Sequence, residues 1–186
     1  MDSDRYSIHF SPLQGYTDRI YRNAFAHYFG GVEVYYTPFI RVEKGALRKR
    51  DLRDIEPETN TVADLIPQIL PGSADEFRLL TDAVGEKGYR QIDINLGCPF
   101  PMIAGKHKGA GMLLYPAQVA EVLAPIAEYP EIQFSLKMRL GWENASECMV
   151  LVELLNTLRL SRIALHARTG KQQYKVLLIR ICVCII

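Results

Sequence analysis

The stretch Gln91-Ile92-Asp93-Ile94-Asn95-Leu96-Gly97-Cys98-Pro99 joins a strand pattern to a reactive side chain. Residues 91–95 alternate apolar and polar side chains, which is typical of a β-strand, and the glycine and proline that follow indicate a turn. Cys98 is therefore predicted at a strand end, which is where α/β barrels carry their catalytic groups. Free cysteine titrates at about pH 8.5, so the spacing alone leaves open whether this thiol is a nucleophile or a proton donor.

Three further apolar segments are predicted to be strands that end in polar side chains. These side chains are Gln68 after residues 65–67, Lys137 and Arg139 within residues 134–139, and His166 and Arg168 within residues 163–168. A cation, an imidazole and an amide gathered around a cysteine favour a planar, electron-rich cofactor that carries a phosphate.

Five segments then follow one another in a recognisable order: residues 11–18, 95–99, 109–114, 137–141 and 166–169. In sequence and spacing they resemble the bacterial tRNA-dihydrouridine synthases, flavin enzymes that reduce specific uridines in transfer RNA. The resemblance extends over roughly residues 8 to 175, and the cysteine loop is its most diagnostic part.

The resemblance implies a (β/α)8 TIM barrel, a fold that needs about 250 residues. The chain has 186 residues. Strands are predicted near Ile8, Val34, Leu65, Ile92, Phe134 and Ile163, with helices between them. The capping box Ser73-x-x-Glu76 predicts the start of one helix, and Pro125 is predicted to kink or shorten another. We therefore expect an α/β fold that is an incomplete barrel of about six of the eight β/α units, truncated at its C-terminus.

This expectation divides the chain into two parts. Residues 1–175 are expected to form the N-terminal part of an FMN-binding barrel domain, and the family's C-terminal helical RNA-binding domain is expected to be absent. Residues 176–186 form an almost wholly apolar tail with one charge, which indicates a frameshift or premature stop or, alternatively, a buried strand. A membrane span is not predicted, because spanning takes about 20 apolar residues.

The resemblance also implies a reaction. FMN, reduced by NADPH or NADH, passes hydride to the uracil ring of a flipped-out nucleotide, and Cys98 donates the proton to the neighbouring carbon. It places Pro12, Leu13, Gln68, Lys137, His166 and Arg168 against the cofactor. Asn95 and Arg139 are expected to line the substrate pocket or to orient their neighbours, and Asn95 is alternatively a turn residue that holds the loop. Lys137 would stabilise the reduced flavin, although a surface lysine, a core glutamine at position 68 and a buried histidine at position 166 are the alternatives.

A basic segment is predicted to contact RNA. The segment contains Arg41, Lys44, Arg48, Lys49, Arg50 and Arg53, with Glu43 and Asp51 as its only acids. Such clusters attract phosphates, although charge alone also fits a solvated helix face. The family resemblance makes tRNA the expected partner.

Composition indicates a soluble enzyme: 48% of residues are hydrophobic and the formal net charge is +1. The four cysteines have no C-x-x-C spacing, so neither a metal site nor a disulfide framework is predicted. The N-terminus has no signal-peptide pattern, and a cytoplasmic location is expected. An open barrel edge makes self-association possible. Because truncation removes the expected phosphate-binding strands, we expect impaired activity.

Two alternatives remain open at this point. One is an FMN-dependent barrel oxidoreductase that acts on a small pyrimidine-like metabolite, which has no need of the basic segment. The other is a non-catalytic RNA-binding fragment.

Overall fold

The computed structural model describes residues 7–175. The predicted apolar tail, residues 176–186, lies outside these residues. The helices and strands of the described part, in chain order, are β1 (His9–Phe10), α1 (Arg19–Tyr28), β2 (Val34–Tyr36), β3 (Val42–Glu43), β4 (Ala46–Leu47), α2 (Lys49–Asp54), β5 (Leu65–Ile66), β6 (Gln68–Ile69), α3 (Ala74–Gly85), β7 (Gln91–Leu96), α4 (Pro101–Ala104), α5 (Pro116–Leu123), β8 (Gln133–Arg139), α6 (Glu147–Thr157) and β9 (Leu160–His166). Three 3-10 segments lie at Pro57–Thr59, Gly109–Leu114 and Ala124–Glu128.

The main strands are parallel and follow one another in chain order. β1 pairs with β2 and β2 with β5, while β6, β7, β8 and β9 form a second parallel sheet in that order. β3 and β4 form a separate antiparallel hairpin. Parallel strands connected through helices define an α/β fold. The predicted α/β class is therefore confirmed, and each predicted strand position carries a strand.

A proline divides the third predicted strand into β5 and β6. Pro67 has no N–H to donate to the ladder between strands. Its carbonyl still accepts the backbone N–H of Asp93 at 2.9 Å, and Ile40 forms a parallel bridge with Ile69. The two parallel sheets therefore meet across Pro67.

The helix signals of the sequence are found in the structure. Ser73 caps α3 by accepting the backbone N–H of Glu76 at 3.2 Å, as its capping-box pattern predicts. The Glu76 carboxylate accepts the N–H of Gly72 at 2.8 Å. Pro125 shortens the preceding helix, as predicted: α5 ends at Leu123, and a 3-10 segment that contains Pro125 continues from there.

The central strands β7 and β8 have one apolar face and one polar face, because successive side chains of a strand point to opposite sides. The apolar side chains belong to the main core: Ile92, Ile94, Leu96, Phe134, Leu136 and Met138. On this side Phe77 of α3 packs against Phe134, with 5.3 Å between the ring centroids. The alternate positions hold Asp93, Asn95, Ser135, Lys137 and Arg139. The fold thus gathers its polar side chains on the face of the sheet opposite the helices.

β9 is an edge strand within residues 7–175, where it pairs with β8 alone. Most of its side chains are exposed. Among the same residues, no helix has the length and apolar character needed to cross a membrane.

Candidate functional site

The backbone around Cys98 is fixed by hydrogen bonds from two directions. The side-chain oxygen of Asn95 accepts the N–H groups of Gly97 and Cys98 at 3.0 and 2.9 Å. The carbonyl of Cys98 accepts the N–H of Ala110 at 3.0 Å. Asn95 is 8% exposed and holds the cysteine loop, which is the alternative that the sequence offered beside a place at the substrate pocket.

A glycine allows the second contact. Gly109 has a φ of +55°, and a Cβ at this position would lie 2.8 Å from the Cys98 carbonyl oxygen and 3.0 Å from its Cβ. A side chain would therefore push against the cysteine backbone and also adopt a strained conformation. A glycine is therefore required at position 109 for this loop to approach Cys98 closely.

The Cys98 thiol is partly buried against apolar side chains. It packs against a small cluster formed by Phe39, Leu70 and Ile103. Burial raises the pKa of the Cys98 thiol, and this effect exceeds the opposing contributions of the Phe100 backbone and the Arg139 charge. The thiol is therefore held in its protonated form at neutral pH, which suits a proton donor better than a nucleophile.

Lys137 lies on the neighbouring strand at the same level. It pairs in register with Asn95 across β7 and β8. Burial lowers the pKa of Lys137, while the nearby Asp93 carboxylate acts in the opposite direction. Lys137 lines a cavity of about 260 Å³ together with Pro12, Asp93, Arg162 and Ala164.

Pro12 and Leu13, the two predicted cofactor residues of the first loop, differ in their position relative to the cavity. Pro12 lines this cavity, whereas the Leu13 side chain is 45% exposed. The backbone of Leu13 is nevertheless well held, because its N–H donates to the Thr17 hydroxyl at 2.8 Å and its carbonyl accepts the Thr17 N–H at 3.1 Å.

Gln68 lies behind the cavity rather than on its wall. Its side chain is only 1% exposed. Its amide nitrogen donates to Asp93 at 2.6 Å, and its amide oxygen accepts from the Asn95 amide at 2.7 Å. In this structure Gln68 therefore connects two residues of β7.

Arg139 is fully buried and joins the cysteine loop to the segment after β9. Its Nε donates to the Gly97 carbonyl at 2.9 Å. Its Nη1 donates to the carbonyls of Thr169 and Gln173, both at 2.9 Å. The guanidinium also lies over the Tyr174 ring, with its Cζ 5.2 Å from the ring centroid.

His166 and Arg168 lie beside each other at the end of β9. His166 pairs in register with Arg139, and an Arg168 nitrogen lies 3.0 Å from its Nε2. Burial lowers the pKa of His166 to about 4, and the charges of Arg139, Lys137 and Arg168 act in the same direction. The imidazole is therefore neutral at physiological pH, with Nε2 as an acceptor for the Arg168 guanidinium.

The predicted basic segment divides into paired and exposed side chains. Arg41 and Arg48 form ion pairs with Glu43, at 3.3 and 3.4 Å. Lys44, Lys49 and Arg50 are exposed, and no acidic partner within residues 7–175 forms an ion pair with them.

The local fold explains where these exposed cations lie. Lys44 and Gly45 both have positive φ and form the two-residue turn of the β3–β4 hairpin. Lys49 and Arg50 begin α2. This segment follows β2, so it lies at the carboxyl end of the strands, as Cys98 does.

The sequence analysis did not single out Asp93, Ser135 or Arg162. Asp93 and Ser135 are almost fully buried and are joined by a hydrogen bond of 2.5 Å. The alternation of residues 91–95 contained a signal for Asp93, because it places Asp93 on the same face as Asn95. Arg162 contacts the hydroxyl of Tyr36 and lies 3.0 Å from His9 across the cavity. That contact joins β9 to β2, which belong to different sheets, and it has no signal in the sequence.

Comparison with known proteins agrees with these features. The family model described as "Dihydrouridine synthase (Dus)" matches residues 9–181. The chain is 29% identical to the "Probable tRNA-dihydrouridine synthase 2" of Bacillus subtilis over 89% of its length, and 30% identical to the "tRNA-dihydrouridine(16) synthase" of Haemophilus ducreyi over 90%. It is 28% identical to the "tRNA-dihydrouridine synthase B" of Vibrio parahaemolyticus over 89%. These matches cover 51%, 54% and 51% of the respective relatives, so the chain spans about half their length.

Proposed function

Because the chain belongs to the dihydrouridine synthase family, as its motifs predicted, we propose that it carries the reducing site of a tRNA-dihydrouridine synthase. The reaction is the reduction of the C5–C6 double bond of specific uridines in tRNA. It requires a hydride and a proton at neighbouring carbons of the ring. We assign the proton to Cys98, in the loop that follows β7, and the positive charge to Lys137 on the adjacent strand β8.

The observation that carries the proposal is the environment of Cys98. The thiol is half-buried, its backbone is held by Asn95 and Ala110, and burial raises its pKa. Such a thiol keeps its proton until a carbanion develops at the neighbouring ring carbon. Cys98 then transfers the proton from Sγ to that carbon, and the resulting thiolate regains a proton from solvent.

The lining of the cavity beside Lys137 supports a flavin as the cofactor. Pro12 and Ala164 supply apolar wall, and the half-buried Lys137 supplies a positive charge. We propose FMN as the cofactor and NADPH or NADH as the reductant; when bound and reduced, FMN supplies the hydride. Lys137 would bind the electron-rich edge of the ring and stabilise its anionic reduced form.

The other predicted cofactor residues keep their proposed roles with defined partners. Leu13 would contact the ring beside Pro12, and His166 and Arg168 would act together, since they already lie side by side. Gln68 would act on the cofactor through Asp93, which lines the cavity, because Gln68 itself is buried behind the cavity and donates its amide nitrogen to Asp93. Arg139 would keep the cysteine loop in place beside the substrate.

We propose tRNA as the macromolecular partner and the cytoplasm as the location. The exposed Lys44, Lys49 and Arg50 lie at the same end of the sheet as Cys98, where RNA phosphates would reach them. The parallel strands and intervening helices fit a TIM barrel of which this chain forms about six units.

The test compares two cysteines of the same chain. Dihydrouridine formed in unmodified tRNA is measured with FMN and NADPH for Cys98→Ala and for Cys148→Ala, whose thiol is also half-buried but lies at the start of α6. We expect Cys98→Ala to lower kcat by about 100-fold or more, the usual contribution of a general acid, and Cys148→Ala to retain activity.

Equal activity of the two variants would contradict the proposed role of Cys98. Reduction of free uracil in place of tRNA would instead favour the small-metabolite oxidoreductase. Binding of tRNA without binding of FMN would favour the RNA-binding fragment.

A further inference from the structure

Four polar side chains form one continuous chain of hydrogen bonds behind the cysteine loop. Ser135 Oγ donates to one carboxylate oxygen of Asp93 at 2.5 Å, and Gln68 Nε2 donates to the other at 2.6 Å. The oxygen of the Gln68 amide accepts from Asn95 Nδ2 at 2.7 Å. Asp93, Ser135 and Gln68 are each less than 5% exposed, so water has little access to this chain.

The hydrogen bonds of Asn95, at the far end of this series of side chains, determine which amide atoms donate and which accept. Asn95 Oδ1 accepts two backbone N–H groups, those of Gly97 and Cys98, so the other side of the Asn95 amide must be the donating nitrogen. The facing atom of Gln68 is therefore its oxygen, and the nitrogen of Gln68 points to Asp93. An ionised carboxylate only accepts hydrogen bonds, so Asp93 is the group that matches this order.

We infer that Asp93 is a positioning residue for Cys98. Its carboxylate orients the Gln68 amide, the Gln68 amide orients Asn95, and Asn95 holds the backbone of the cysteine loop. The importance of Asp93 for reduction rests on the proposed function, whereas the order of the hydrogen bonds is independent of that function.

Asp93 also faces Lys137. Both line the cavity, and the Asp93 charge opposes the lowering of the pKa of Lys137 by burial. Burial raises the pKa of Asp93 itself, although the hydrogen bonds from Gln68 and Ser135 and the charge of Lys137 act against this. A change at position 93 therefore has two effects, one on the amide chain and one on the charge of the cavity, and the variants must separate them.

Three variants achieve this separation. Asp93→Leu removes both the acceptor and the charge. Asp93→Asn removes the charge alone, because its oxygen still accepts from Gln68 while its nitrogen donates to the Ser135 hydroxyl. Gln68→Leu interrupts the chain one step closer to Cys98 and leaves the Asp93 carboxylate in place.

The primary measurement is the rate at which iodoacetamide alkylates Cys98, followed by peptide mass spectrometry across a pH series. It needs neither FMN nor tRNA. We expect Asp93→Leu and Gln68→Leu to raise the Cys98 rate at pH 7.5 several-fold, because a loosened loop exposes the thiol. We expect Asp93→Asn to leave the rate close to that of the wild type, and Cys148 in the same samples to be unchanged.

A double variant tests whether the two residues act through one another. If they do, Asp93→Leu combined with Gln68→Leu alkylates no faster than either single variant, since interacting residues are not additive. Multiplied effects would overturn the inference, and so would an unchanged Cys98 rate in both single variants. If Asp93→Leu does not fold, Asp93→Ala, which also removes the acceptor for Gln68, takes its place. An unchanged Cys98 rate in Gln68→Leu alone would still overturn the inference, because Gln68 is the link between Asp93 and Asn95.

Activity assays then distinguish the two claims. Loss of kcat with an unchanged KM for tRNA in Gln68→Leu, together with faster alkylation, supports positioning during reduction. If the variants are alkylated faster but the wild-type chain reduces no tRNA, the proposed function is wrong and the positioning role of Asp93 still holds.

Discussion

At the scale of single residues, His166 shows how the site suppresses a charge. Burial is the main cause of its lowered pKa, which is about 4, and the charges of Arg139, Lys137 and Arg168 act in the same direction. The ordinary value for histidine is about 6.5. The site thus keeps an imidazole neutral in the middle of a cationic cluster and uses its nitrogen as an acceptor for Arg168.

This lowered pKa predicts a loss of stability in acid. As pH falls from 6.5 towards 4, the unfolded chain takes up a proton at His166 before the folded chain does, so unfolding is favoured. The contribution is complete above pH 6.5. Because the ring is partly exposed, we expect a loss of about 1 kcal/mol from the free energy of unfolding between pH 7 and pH 5, less than the full shift allows.

Urea unfolding at pH 7 and pH 5 measures this effect. His166→Gln keeps an amide acceptor and does not titrate, so its stability should fall less between the two pH values than that of the wild type. His27→Gln, at an exposed position of α1, is the matched control. The same pH dependence in the wild type and in His166→Gln would contradict the prediction.

At the scale of elements, the buried Arg22 connects α1 to the turn before it and to residues at and after the end of α2. Arg22 is 0% exposed and donates to the Thr17 carbonyl at 2.8 Å, to the Asp54 carboxylate at 2.9 Å and to Asn60 Oδ1 at 2.9 Å. Thr17 closes the turn after Pro12 and Leu13, so this arginine connects the cavity wall to the end of α2.

We predict that Arg22→Leu lowers the free energy of unfolding by about 3 kcal/mol, because it leaves the Asp54 carboxylate and three other acceptors, the Thr17 and Asp54 carbonyls and Asn60 Oδ1, without their buried partner. The urea midpoint, at constant slope, measures this loss. Arg78→Leu is the control: Arg78 also pairs with a carboxylate, Glu128 at 2.8 Å, but on the surface, and its midpoint should stay near that of the wild type. Similar midpoints for the two variants would show that burial of Arg22 adds nothing.

The elements were largely predictable from local chemistry. The Ser73 cap, the break at Pro125 and the alternation before Cys98 each depend on a few neighbouring residues, and the structure confirms them. Contacts between strands were not predictable in the same way. The bond between Asp93 and Gln68 joins residues 25 positions apart and depends on strand register, which the sequence does not display.

At the scale of the whole molecule, the parallel sheet has an apolar face and a polar face. The apolar face of β7 and β8 belongs to the core, and the opposite face carries the polar chain and the cavity. Loops at the carboxyl end of the strands then bring Cys98 and the hairpin with Lys44 to one end of the molecule. The amino ends of the strands hold exposed cations of their own, including Arg90 before β7 and Arg159 before β9.

This arrangement predicts that RNA affinity depends on which end of the sheet carries a charge. In Lys49→Ala/Arg50→Ala, tRNA binding should weaken, and the slope of log affinity against log salt should fall by about 1.5, since each lost phosphate contact contributes about 0.7 to 0.9. Arg90→Ala/Arg159→Ala removes the same charge from the opposite end and should leave both quantities nearly unchanged. Filter binding at several salt concentrations measures them. Equal losses in the two double variants would mean that net charge attracts the RNA, and that the hairpin and α2 form no specific contact surface beside Cys98.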